Sequence, residues 1–138
     1  KFIYSFPISK NEITRAILFN KDNLKKIVKI VHLEIKKKMN VFLKKHENKK
    51  IVVLDIPLLL ENKINSKKDI LVFVESKKSE ILKRLKNRNN YNKELYKKFK
   101  NIQLPLNYKK NKSQFIIKND FTDKSVKRAI KNILSQII

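Results

Sequence analysis

From Asn11 to Phe19, and again from Asn23 to Leu43, apolar residues return every three or four positions. In the second stretch they are Leu24, Ile27, Val28, Val31, Ile35, Met39 and Phe42, the stripe of an amphipathic helix. The pattern then changes. Ile51 to Leu54 is short, β-branched and continuously apolar, as in a strand covered on both faces, and Asp55 and Pro57 end it. Asp69 to Glu75 repeats that pattern and leads through Ser76 into a helix carrying Ile81, Leu82 and Leu85. A largely polar helix over Asn92 to Ile102, a short strand over Gln114 to Lys118 and an amphipathic helix over Asp123 to Ile137 complete the chain.

The expected order is therefore α, α, β, β, α, α, β, α. Strands separated by helices imply an α/β fold: a parallel sheet with flanking helices, right-handed crossovers, and ligands at the carboxyl ends of the strands. A length of 138 residues predicts one compact unit.

Composition changes the picture in two ways. Glycine is absent, so the residue that normally supplies left-handed turns, helix ends and phosphate-binding loops is missing. Asparagine is expected to replace it in turns, at Asn89-Asn90 and Asn119-Asp120. The formal net charge is +23, which on its own suggests a polyanion partner, such as a nucleic acid. Yet only Arg15, Arg84, Arg88 and Arg128 are arginines, and the lysines are spread along the whole length. Abundant Lys, Asn and Ile with no Gly is the pattern that an AT-rich genome would impose. The even spread points away from a dedicated nucleic-acid patch and toward a general attraction for small anions.

Cysteine is absent, which excludes disulfides and thiolate metal sites, and His32 and His46 alone make no zinc site. No apolar run is long enough to span a bilayer, and the start KFIYSF lacks the organisation of a signal peptide. The expectation is a soluble cytoplasmic protein with no membrane partner.

One phrase is more specific than any of these properties. VVLDIPLLLEN, from Val52 to Asn62, resembles the dephospho-coenzyme A kinase signature, in which a buried strand runs into Pro-Leu-Leu and then a Glu. Further features follow in that family's order: the helix LKRLKNR with Arg84 and Arg88, then Gln103, the lysines Lys109 and Lys110, and Asn119 at the end of a short strand. Upstream, ILFNKDNLKKIVKIVHLEI is similar to a family segment ending in a His-Pro-x-Ile pattern, with His32 in the histidine place, and Lys10 stands near a basic residue of the family. Departures are Leu33 for the usual Pro, Gln114 for an Asp, and Asp120 for a Gly.

The resemblance implies a P-loop, nucleoside-monophosphate-kinase-like sheet with a helical lid, incomplete at its N-terminus. Its parts would be coenzyme-side helices at about 9–46, core strands at about 51–55 and 69–75, a lid at about 84–112, and a closing strand and helix at about 114–137. It implies transfer of the ATP γ-phosphoryl group to the ribose 3′-hydroxyl of dephospho-CoA, with magnesium as the metal. Arg84 and Arg88, four apart, would project from one helical face as catalytic and ATP-binding clamps on phosphate oxygens. Asn119 would meet the adenine ring. Asp55, Pro57, Leu58, Glu61 and His32 would bind the coenzyme, with Asp55 also holding magnesium through water.

A glycine-free sequence contains no G-x-x-x-x-G-K-[ST] phosphate loop. In the family that loop precedes all of these features. The expectation is a truncated kinase, inactive by itself.

Overall fold

The computed structural model describes residues 4–138. Where length predicts one compact unit, the chain divides into two: residues 1–64 with 92–103, and residues 65–91 with 104–138.

The first unit is helical. Helix α1 (Lys10–Phe19) begins with a capping box, in which the Ser9 hydroxyl accepts from the Glu12 N–H while the Glu12 carboxylate accepts from the Ser9 N–H. Asn20 ends α1 and starts α2 (Lys21–Lys45), its side chain accepting from the Asp22 N–H at 2.9 Å. Asn23 Nδ2 donates back to the Ala16 carbonyl at 2.8 Å, which fixes the corner between the helices. Ala16, Ile17, Leu24 and Ile64 are buried in this unit. Helix α4 (Lys93–Asn101), capped by Asn92, also packs on α1.

The second unit is built on two strands. β1 (Val72–Glu75) and β2 (Phe115–Lys118) pair in parallel, with Val72 opposite Phe115 and Glu75 opposite Lys118. Gln114 extends the ladder by one rung, its amide oxygen accepting from the Leu71 N–H at 2.7 Å and its own N–H donating to the Leu71 carbonyl at 2.9 Å. Helix α3 (Lys78–Lys86) follows β1. The short helix α5 (Leu106–Lys112) precedes β2, and α6 (Asp123–Ile137) packs against β2, where Ile117 is buried.

Two expectations about secondary structure are corrected. Ile51–Leu54 is not a strand: residues 51–56 lie outside any helix or ladder, and Val53 is 84% exposed. A strand exists only against a partner, and the two strands of the described residues pair with each other. Helix α5 was unexpected. LNYKKNK is too short and polar to show helical periodicity, although Pro105 at its N-cap is a helix-start signal.

Asparagine does not take the left-handed positions. Among the described residues those fall on Leu58 (φ 56°), Lys63 (51°) and Phe121 (65°), while Asn20 and Asn92 act through side-chain caps.

Candidate functional site

The expected site residues gather into two groups, one in each unit. In the helical unit, residues 57–63 form a tight turn in which the Leu58 carbonyl accepts from the Asn62 N–H at 3.2 Å and from Asn62 Nδ2 at 2.9 Å. Asn62 Nδ2 also lies 3.3 Å from His32 Nε2. With Asn62 Nδ2 as the donor, His32 Nε2 accepts, the pairing that goes with the Nδ1-protonated tautomer. His32 is only 9% exposed, and Nδ1 is buried with no protein partner.

A cavity of about 450 Å³ opens beside this junction. His32, Leu58 and Glu61 line it, so three of the residues assigned to the coenzyme come together here. Val28, Leu33, Ile64 and Ile102 give it an apolar floor. Asp55 and Pro57 are exposed and do not line it.

In the sheet unit, the loop after β2 is held by its own side chains. Asn119 Oδ1 accepts from the Phe121 N–H at 2.8 Å, and the Asn119 N–H donates to the Glu75 carbonyl at 2.7 Å. One residue on, Asp120 Oδ1 accepts from the Thr122 N–H (2.9 Å), the Thr122 hydroxyl (2.8 Å) and the Ser125 hydroxyl. These bonds, the Ser125 hydroxyl foremost, hold the Asp120 carboxyl down at about 2. A carboxylate in the place of a glycine thus anchors the start of α6.

Arg84 reaches this loop, its guanidinium lying 3.8 Å from the centre of the Phe121 ring. Arg84 and Asn119 therefore belong to one neighbourhood. Arg88 does not share Arg84's helical face: α3 ends at Lys86, Asn87 caps it, and Arg88 sits in the following turn, its carbonyl accepting from the Tyr91 N–H. A helix with Lys83, Arg84 and Lys86 in its last turn meets asparagine at its end and stops there.

Lys110, within the expected lid, forms a 2.7 Å ion pair with Glu75 at the carboxyl end of β1. The hydrogen bond from Lys110 holds the Glu75 carboxyl below the usual range. Gln103 follows α4 in the helical unit and is exposed, as is Lys10 at the start of α1.

No group of three or more His, Cys, Asp or Glu side chains among the described residues could hold a metal ion. Asp55 offers a single exposed carboxylate, a donor set that suits magnesium only when waters and substrate phosphates complete its shell. No described helix is long and apolar enough to cross a membrane.

Sequence reasoning missed Asn62 as the partner of His32, because 30 residues separate them. It also missed Lys25, Lys29 and Lys36 at the cavity, although their spacing places them on the His32 face of α2.

Comparison with known proteins gives a consistent answer. The family model described as dephospho-CoA kinase matches residues 8–125. A protein of Wolbachia sp. subsp. Brugia malayi named dephospho-CoA kinase is 29% identical over 132 residues, covering 94% of this chain and 67% of that protein. Namesakes from Bacillus thuringiensis subsp. konkukian and Bacillus anthracis are each 31% identical over 133 residues, covering 94% of this chain and 66% of their own. The chain thus spans about two thirds of the length of the relatives it matches.

Proposed function

Since the chain belongs to the dephospho-CoA kinase family, we propose that its residues serve ATP-dependent phosphorylation of the ribose 3′-hydroxyl of dephospho-CoA, on a P-loop kinase fold. One observation carries this reading. His32, Leu58 and Glu61, which the resemblance assigns to the coenzyme from two distant stretches of sequence, line one cavity.

Phosphoryl transfer asks a protein chiefly to position the reactants and neutralise charge. Dephospho-CoA occupies the helical unit's cavity, with Leu58 against its uncharged arm and His32 in the lining. Arg84 and Arg88 engage the phosphates of ATP from the sheet unit, and Asn119 offers its amide nitrogen to adenine, its Oδ1 being held by Phe121. Asp55 is the residue that would hold magnesium, which would supply neutralisation of phosphate charge. These 138 residues are glycine-free and hold no glycine-rich phosphate loop, so they do not themselves supply that cradle for the ATP phosphates.

The test is to express the whole reading frame that contains these residues and follow ATP-dependent conversion of dephospho-CoA to CoA by mass spectrometry. One phosphate gained at the 3′ position is expected. Phosphorylation of nucleoside monophosphates instead, or of neither acceptor, would overturn the assignment.

A further inference from the structure

The stretch Lys25, Lys29, His32, Lys36 runs along α2 at spacings of four, three and four residues, which places all four on one helical face. In an amphipathic helix that packs on its neighbours, the inward face is normally apolar and lysines point outward. Here the three lysines, each exposed to solvent, border the cavity that His32, Val28, Leu33 and Leu58 also line. Glu61 is the single carboxylate in the same lining, so the cavity carries an excess of positive charge. Lys25 has an exposed partner in Asp22 at 3.5 Å, an i, i+3 pair of the kind that holds a lysine only weakly.

An apolar floor with a cationic border fits a ligand that is itself divided, with an uncharged arm and a compact, multiply charged anion. From this we infer that Lys25, Lys29 and Lys36 grip the pyrophosphate of the acceptor while the floor takes its uncharged arm, so that this stripe sets affinity and selectivity for a pyrophosphate-bearing acceptor. The inference rests on the proposed function for the identity of the acceptor, though the stripe's preference for pyrophosphate can be tested separately.

The experiment measures binding to the full chain by calorimetry, with dephospho-CoA, inorganic pyrophosphate and pantetheine as probes. Two triple variants carry the same loss of charge: Lys25→Gln, Lys29→Gln, Lys36→Gln in the stripe, and Lys21→Gln, Lys26→Gln, Lys44→Gln at exposed positions outside the cavity lining. The stripe variant is expected to bind dephospho-CoA and pyrophosphate about tenfold more weakly or worse, with pantetheine unchanged, and the control variant to lose less than about threefold. Equal losses in the two variants would overturn the inference by reducing it to net charge, and the acceptor assignment would survive. Binding of pyrophosphate with stripe dependence, but no binding of dephospho-CoA, would uphold the stripe and overturn the acceptor. Failure of the unmodified chain to bind either anion would overturn the stripe.

Discussion

Truncating Leu24 tests how the molecule is held together. Leu24 is 3% exposed and packs at the corner of α1 and α2, in a unit whose buried apolar side chains also include Ala16, Ile17 and Ile64. With so few neighbours to move inward, Leu24→Ala leaves a void, and such changes cost about 2–5 kcal/mol. A mid-range loss of about 3 kcal/mol is a large share of the roughly 5–15 kcal/mol that keeps a typical domain folded. For a unit of well under 100 residues it lowers the melting temperature by on the order of 15 °C. Hydrogen exchange followed by mass spectrometry resolves where the loss appears. Peptides from α1 and α2 should lose protection by about two orders of magnitude, while peptides from β1 and β2 keep theirs. Ile117→Ala, in the sheet unit, should give the converse. Equal loss in both units from either substitution would refute the reasoning, because it would mean that one shared core holds the chain.

Three further outcomes follow from the local geometry. Glu12 accepts from the N–H groups of Tyr4, Ser5 and Ser9 and from the Ser5 hydroxyl, and these bonds, the Ser5 hydroxyl foremost, lower its carboxyl to about 2. Its stabilisation is full above the ordinary value of 4.5 and is lost as pH falls toward about 2, so the denaturant midpoint should drop over that window in the parent chain, and less in Glu12→Gln. Asn62→Ala removes the bond that orients His32, and should weaken dephospho-CoA binding in calorimetry by about three- to tenfold with a melting loss of about 1 kcal/mol. Arg84→Ala loses a ring contact worth about 0.5–1 kcal/mol, so in the complete protein its effect on turnover should far exceed its effect on melting; matched small effects would leave Arg84 as mere support for Phe121.

How much could be read in advance depended on how local each feature is. Helices α1, α2 and α6 were legible because their apolar stripes are long and their caps are polar, and β1 and β2 because three consecutive β-branched or aromatic residues open each of them. The apolar run at residues 51–54 reads the same way, but pairing is decided by a neighbour and not by the run itself. Arg88 was misplaced for a nearer reason: spacing of four puts it on Arg84's face only if the helix continues, and α3 stops two residues earlier. His32, Leu58 and Glu61, which line one cavity, were picked out by the motif, while the lysines beside them passed as solvated filler in a chain full of lysine.

The left-handed residues Leu58, Lys63 and Phe121 give the missing glycine an energetic meaning. A side chain with a Cβ pays roughly 1–2 kcal/mol to adopt that backbone, and glycine does not. If nucleotide composition removed glycine from this gene, it did so against the preference of the fold, and the sequence lies off its own optimum in a known direction. Leu58 lines a cavity and Phe121 supports Arg84, so both have side chains to keep. Lys63 is exposed and does not line the cavity, which makes it the position where a single codon change to glycine would return stability without touching the chemistry.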